Sequence, residues 1–319
     1  MNNAQVAVAS RSFSQDSFLR NELLSRYSNV RFNETGRSLA GDELVSFLRD
    51  AEKAIIALER IDSALLSKLP KLKLISKYGV GLDNVDFESL FKSSVKLAWT
   101  PGVNKRAVAE LALHFILGVC RGSFLAHSKI RNQEWLQVKG RNFSGMSVGL
   151  LGLGHVAQDL VKLLKPFELK IFAYDCNDRS SVAQEEKITM CSLETLLSES
   201  DVVSLHLPLT KQTKLLLSRE RLLQMKKGSF LVNTARGSLI DESALYDLLR
   251  NEHLAGAAFD VFEHEPALSS PLLSLENFYS TSHIGGSSRE AIRLMGLAAI
   301  EGLDRGKDAL PEQFFDYPL

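Results

Sequence analysis

The chain is expected to be an α/β protein of two doubly wound parallel-sheet domains. Three observations predict the α/β class. Short apolar runs alternate with helical stretches along most of the sequence, as in a parallel sheet covered on both faces. A glycine-rich turn joins one such run to a helix. A length of 319 residues suggests about two domains.

The glycine turn organises the rest. It lies in SVGLLGLGHVAQDLVKLLKPFELKIFAYD, Ser147 to Asp175. Val148 to Leu151 is the predicted strand before the turn, and Lys170 to Tyr174 the one after the helix. Gly152, Gly154 and Ala157 fill the pattern G-x-G-x-x-G/A, and Asp175 follows Gly152 by 23 positions. This is the spacing of a dinucleotide-binding βαβ unit. Gly152 permits the tight turn, Gly154 lets backbone approach a pyrophosphate, and Ala157 keeps helix and strand close. The helix N-terminus presents free N–H groups and the positive end of its dipole to phosphate. Asp175 suits the two ribose hydroxyls of NAD and repels the 2′-phosphate of NADP, although Arg179 is near enough to temper that repulsion. NAD is the expected cofactor.

Before this unit, strands are predicted at Val6 to Ala9, Asn29 to Phe32, Ala54 to Leu58, Leu72 to Ser76 and Val95 to Trp99. Helices are predicted at Asp16 to Arg26, from a Ser38 cap through Leu48, and at Leu65 to Leu69, ending at Pro70. No glycine fingerprint occurs here, so the cofactor is not expected in this part. Thr100-Pro101-Gly102 punctuates the chain. A long helix follows, Lys105 to Arg121. Its most apolar stretch, Ala107 to Cys120, is too short to span a membrane and contains Glu110 and His114. Gly122 to Gly145 is a polar arm carrying Trp135, long for a simple connection; it packs either on another subunit or on its own domain.

After Asp175 the alternation resumes. Leu193 to Leu197 is helical and Asp201 to Leu205 a strand ending in His206-Leu207-Pro208. Ser218 opens a helix to Met225; Ser229 to Asn233 is a strand leading into Thr234-Ala235-Arg236-Gly237. Asp241 to Arg250 is a helix, Leu254 to Phe259 a strand ending at Asp260, and a short strand near Phe278 precedes His283. Ser288 to Asp304 is the last helix.

Composition narrows the function. Formal net charge is zero, with 38 basic and 38 acidic residues. No basic stripe suggests nucleic acid and no polybasic block a membrane surface. The N-terminus, MNNAQVAVAS, has neither the charged start nor the apolar run of a signal peptide. Three cysteines, Cys120, Cys176 and Cys191, form no metal-binding pattern and fit a reducing cytoplasm.

Ligands of open α/β sheets sit beyond the carboxyl ends of the strands. That nominates His206, Arg236, Asp260 to Glu265, and His283. Arg236 can hold an α-keto acid through its carboxylate or carbonyl oxygen. His283 can exchange a proton with that oxygen. Glu265 can accept a hydrogen bond from the imidazole and favour its protonated form. Singly, each has a structural explanation: an arginine paired with a neighbouring acid, a loop carboxylate before Pro266, a histidine capping a turn before Gly285-Gly286. His206 lines the cofactor cleft, with Pro208 shaping its loop, and His155 faces solvent near phosphate.

Seven ordered motifs carry a resemblance along nearly the whole chain: KYGVGLDNVD, TPGVNKRAVAELAL, VGLLGLGHVAQ, VVSLHLPLT, LVNTARGSLID, AAFDVFEHEP and SHIGGSS. They resemble those of the D-isomer-specific 2-hydroxyacid dehydrogenases. The resemblance implies a catalytic trio of Arg236, Glu265 and His283. It implies that Asp260 contacts the nicotinamide carboxamide, and that backbone around Val80 and Gly81 cradles the substrate carboxylate. Further expected cofactor residues are Gly152, Gly154, His155, Val156, Asp175, His206, Pro208, Thr234, Ala235 and Gly285. The first domain would be completed by the C-terminal helix: residues 1–100 with 285–319 form a flavodoxin-like domain for substrate, residues 101–284 a Rossmann domain for NAD, and a cleft between them is the expected active site. The arm after residue 121 resembles the family's dimer contact. Ser282 stands where proline is common before the histidine.

The expected activity is NAD(H)-dependent interconversion of a D-2-hydroxy acid and its 2-keto acid in a cytoplasmic homodimer. The whole-chain pattern looks most like phosphoglycerate dehydrogenases without a C-terminal regulatory domain. Only Arg60 of Leu58-Glu59-Arg60 is basic where phosphoglycerate-using members present basic residues, and Lys77 is a second candidate. Reduction of glyoxylate or hydroxypyruvate, or a hydroxy acid from a sugar pathway, is the alternative. A reading of another class is an NAD(H)-sensing corepressor that binds proteins.

Overall fold

The fold is taken from a computed structural model in which residues 2–315 are described. It divides into two compact units: residues up to Asn104 with those from Gly286 onward, and Lys105–Gly285.

The first unit begins β1 (Val6–Val8), α1 (Arg11–Gln15), α2 (Ser17–Arg26), β2 (Val30–Phe32), α3 (Gly41–Leu48), β3 (Lys53–Ile56), α4 (Ser63–Leu66), β4 (Leu74–Lys77), α5 (Phe87–Lys92) and β5 (Lys96–Ala98). All pairings are parallel, in the order β2-β1-β3-β4-β5. Two helices depart from the expected pattern. α1 and α5 are short and announce themselves only by caps: Ser10 accepts from Phe13 N–H and Asp86 from Ser89 N–H. Ser38 does not cap α3. The buried Asn33 amide ties Ala9 O and Arg37 O together, holding the chain in a turn, and the helix starts only at Gly41.

The second unit opens with α6 (Lys105–Arg121) and α7 (Ser123–Arg131). It continues β6 (Ser147–Leu151), α8 (His155–Leu164), β7 (Lys170–Tyr174), α9 (Ser180–Glu186), β8 (Thr189–Met190), α10 (Leu193–Glu199), β9 (Val202–Leu205), α11 (Arg219–Leu223), β10 (Phe230–Asn233), α12 (Glu242–Arg250), β11 (Gly256–Phe259) and β12 (Phe278–Ser280). The sheet is wholly parallel, in the order β12-β11-β10-β9-β6-β7-β8. The order in which the chain lays down its strands reverses between β6 and β9, the switch point where doubly wound sheets bind ligands.

Period-two alternation divides this sheet between two cores. Val148, Leu150, Val202, Val232 and Ala258 face α6 and α8. Leu151, Val203, Leu205, Leu231, Ala257 and Phe259 face the core shared with α10, α11 and α12. Burial on both faces is why these strands read as unbroken apolar runs. The polar arm is not wholly irregular. α7 forms because Phe124 stacks on Tyr279 at 3.6 Å and meets the edge of His114 at 5.1 Å. Ile130 near its end, and Trp135 and Leu136 beyond it, are exposed.

α13 (Arg289–Gly302) returns to the first unit. A Cβ at Gly296 would lie 2.3 Å from Leu19 Cδ2, so only glycine permits this approach to α2. The far end is tied down where Tyr27 OH donates to Asp304 Oδ1 at 2.6 Å and Lys53 Nζ donates to Leu303 O at 2.7 Å.

Candidate active site

The glycine turn follows β6. Gly152 has φ +91°, a region that disfavours other residues, and a Cβ there would come within 2.8 Å of His206 O. At Gly154 a Cβ would meet nothing within 4 Å, so the backbone borders open space at the start of α8. His155 is exposed and Val156 half-buried in its first turn, where N–H groups lack intrahelical acceptors. These features fit a pyrophosphate. Asp175, at the end of β7, is already engaged: Oδ2 accepts from Leu153 N–H at 2.8 Å and lies 3.4 Å from Arg179 Nε, and Oδ1 accepts from Asn177 N–H at 2.9 Å. The acid braces the glycine turn itself.

His206 ends β9 beside that turn. Its Nε2 lies 2.9 Å from the buried Ser204 hydroxyl. Burial pushes the imidazole down to about 4, so it is neutral at physiological pH. Pro208 O accepts from the Thr213 hydroxyl at 2.7 Å, closing the loop beyond.

β10, β11 and β12 are neighbours in the sheet, and their carboxyl ends carry Arg236, Asp260 with Glu265, and His283. Buried Asn233 shapes the first: Oδ1 accepts from Ala235 N–H and Nδ2 donates to Arg236 O, both at 2.9 Å. Thr234 is buried here, and half-buried Arg236 donates from Nη1 to Ala235 O at 2.7 Å. Gly237 touches the next loop; a Cβ there would sit 1.9 Å from the Phe262 carbonyl carbon. Glu242 Oε1 accepts from Glu263 N–H at 2.7 Å. Burial raises the Glu242 carboxyl above its usual range, and the charges of Glu263 and Glu265 add to the effect.

Glu265 joins two loops. Oε1 accepts from Phe262 N–H at 3.0 Å and Oε2 lies 2.8 Å from His283 Nδ1. His283 holds φ +57°, strained for a residue with a side chain. The strain is sustained by Asp260, which is buried. Its backbone carbonyl accepts from His283 N–H at 2.8 Å. Its carboxylate accepts from Thr281 OH at 2.5 Å, and from Ile284 N–H and Gly285 N–H at 2.7 Å each. Gly285 is buried against Asp260, where a Cβ would be 3.0 Å from Oδ2. With Nδ1 facing Glu265, Nε2 is left to face a ligand.

In the first unit, Val80 and Gly81 lie in the loop after β4, half-exposed. The basic residues nominated for a phosphate are otherwise occupied. Lys77 is buried and donates to Asn84 Oδ1 at 2.7 Å and to Ala57 O. Arg60 is exposed with Nε 3.1 Å from Asp62 Oδ2. Glu59 is buried, and its Oε2 accepts from Ala57 N–H at 2.6 Å.

Asn233, Gly237, Glu242 and Thr281 support the site and were not singled out by sequence. Their types are ordinary for turns and helix starts; only the glycine after Arg236 hinted at a close approach. Among the described residues, no cluster of His, Cys, Asp or Glu could hold a metal ion.

Comparison with known proteins agrees with this geometry. The family model for the D-isomer specific 2-hydroxyacid dehydrogenase, NAD binding domain, matches residues 113–285. A hydroxypyruvate reductase of Thermotoga maritima is 34% identical over 84% of this chain and 88% of its own. A D-3-phosphoglycerate dehydrogenase of Methanocaldococcus jannaschii is 33% identical over 85% of this chain but 53% of its own. The crystal structure of D-lactate dehydrogenase from Aquifex aeolicus, complexed with NAD and lactic acid, superposes with a TM-score of 0.82 at 26% identity, covering 93% of each chain. The chain belongs to the D-isomer specific 2-hydroxyacid dehydrogenases, NAD-dependent oxidoreductases that interconvert a D-2-hydroxy acid and its 2-keto acid.

Proposed function

We propose that the enzyme reduces a small, unphosphorylated 2-keto acid, glyoxylate or hydroxypyruvate, using NADH. The observation that carries this is the state of the cations at the ends of β3 and β4. Lys77 is committed to Asn84 and Ala57, and exposed Arg60 is paired with Asp62. A substrate phosphate would meet one arginine already paired with an acid. The hydroxypyruvate reductase relative, aligned over most of its own length, supports the same reading.

NAD(H) would be held by the turn at Gly152 and Gly154, the start of α8 at His155 and Val156, and Asp175. His206, Pro208, Thr234, Ala235, Asp260 and Gly285 would complete its site. When bound, it supplies hydride to the carbonyl carbon or accepts it from the alcohol. Backbone N–H groups at Val80 and Gly81 hold the substrate carboxylate. Arg236 orients and polarises the keto oxygen. His283 gives that oxygen a proton from Nε2 during reduction and takes it back during oxidation. Glu265 fixes the ring through Nδ1 and balances the imidazolium charge.

The exposed apolar residues Ile130, Trp135 and Leu136 support an arm that pairs two copies into a homodimer. No disulfide joins Cys120, Cys176 and Cys191, which supports a reducing, cytoplasmic setting. No single helix among the described residues is long and apolar enough to cross a membrane.

The test is steady-state turnover with NADH and a panel of glyoxylate, hydroxypyruvate, pyruvate and 3-phosphohydroxypyruvate. The two small acids should give the highest kcat/KM, and H283A should lower it by roughly 10²- to 10⁴-fold. A clear preference for the phosphorylated acid would overturn the substrate reading. An unaffected H283A enzyme would overturn the proton-transfer role.

A further inference from the structure

The loop proposed to take the substrate carboxylate is fastened at its ends and at its middle. At the ends, Lys77 Nζ donates to Asn84 Oδ1 at 2.7 Å, and Asn84 Nδ2 donates to Ala57 O at 3.1 Å. Gly79 turns the chain with φ +123°, open to glycine alone at little cost. At the middle, the indole Nε1 of Trp99 donates to Val80 O at 3.0 Å. Trp99 follows β5 and is half-buried. Its ring lies against Phe314 and Phe315, with centroids 6.3 and 5.9 Å away, and both of those pack on Phe87.

We propose that Trp99 is a positioning residue for the substrate carboxylate, acting through the Val80–Gly81 peptide. This rests on the reading above, in which Val80 and Gly81 bind that carboxylate. Val80 C=O and Gly81 N–H are opposite edges of one planar trans peptide. Pinning the carbonyl to the indole therefore aims the Gly81 N–H the other way, away from Trp99. Among the described residues, neither the Val80 nor the Gly81 backbone N–H has an acceptor, so both donors remain for a ligand. A hydrogen bond accepted by the carbonyl also polarises the N–H across the peptide and strengthens it as a donor to an anion. Without the indole bond, the glycines at 79 and 81 leave this peptide free to rotate. The aromatic stack built on Phe87 keeps the indole from following it.

W99F tests this, since phenylalanine keeps a ring against Phe314 and Phe315 and deletes the donor. In glyoxylate and hydroxypyruvate reduction, the keto-acid KM should rise roughly five- to thirtyfold. The kcat and the NADH KM should stay within about twofold, a split that general loss of structure would not produce. Thermal unfolding of W99F is recorded alongside. As a second readout that needs no variant to fold, oxalate is titrated into wild-type enzyme saturated with NAD, and tryptophan emission should change saturably. An unchanged keto-acid KM in W99F, or emission indifferent to bound oxalate, overturns the role of Trp99 while leaving the wild-type reaction intact. A wild type that reduces no 2-keto acid overturns the underlying carboxylate reading and this proposal with it.

Discussion

Glu265 Oε2 and His283 Nδ1 lie 2.8 Å apart although 18 residues separate them in the chain. The contact fixes which imidazole nitrogen is left for chemistry. It also gives Glu265 two tasks, because its other oxygen accepts from Phe262 N–H. The two tasks separate by mutation. E265Q keeps an acceptor and loses the charge that balances an imidazolium; E265A loses both. For glyoxylate reduction, E265Q should lower kcat by roughly tenfold and E265A by roughly 10²-fold or more. Equal rates in wild type and E265A would remove Glu265 from the mechanism.

Asp260 is to the backbone of His283 what Glu265 is to its ring. One buried carboxylate accepts from Thr281, Ile284 and Gly285, and holds the neighbouring residue at a positive φ. D260A would leave three donors without their acceptor and release the strained turn. The expected loss of stability is about 2–4 kcal/mol, read from urea midpoints. The kcat should fall with it, because His283 is no longer held. A D260A enzyme with normal kcat would show that His283 finds its place unaided.

The sequence made the βαβ unit visible because one tight turn demands particular residue types at fixed spacing. Gly152 is fixed by its φ and by His206 O, Gly154 borders open space, and Asp175 braces the turn. Lys105–Arg121 and Lys170–Tyr174 were equally legible, the first from its length and the second from its apolar run. The helices α1, α5 and α9 were not, since five to seven residues are too few for a periodicity to emerge. Nor was the bracing of the site. Glu242 looks like any acid at a helix start, and only the fold brings its carboxylate to Glu263 N–H. Lys77 looked available for a phosphate, and burial against Ala57 and Asn84 removes it from that role. Long-range partners of this kind leave no local pattern.

His206 gives a pH signature in stability. Its folded-state value is about 4 against a reference of 6.5, because burial disfavours the charged ring. Between those values the unfolded chain binds more protons than the folded one. His206 therefore costs the fold stability progressively as pH falls from about 6.5 to 4. H206Q cannot take up that proton, so its urea midpoint should fall less than that of wild type between pH 7.5 and pH 5. Parallel losses in both proteins would show that His206 is free to ionise in the folded state.

Asp175, proposed to oppose the 2′-phosphate of NADP, also braces the glycine turn. Its carboxylate accepts from Leu153 N–H and faces Arg179, so charge and hydrogen bonding again separate by mutation. D175N keeps an oxygen for Leu153 N–H and abolishes the negative charge that opposes a 2′-phosphate. The ratio of kcat/KM for NADPH to that for NADH should rise roughly tenfold or more, from relief of like-charge repulsion. D175A also removes the brace, and should weaken both cofactors while lowering the melting temperature. R179A should act in the opposite sense to D175N. It strips Asp175 of its counter-charge, so discrimination against NADPH should sharpen. An NADPH to NADH ratio that is the same in wild type and D175N would mean that another residue sets the choice.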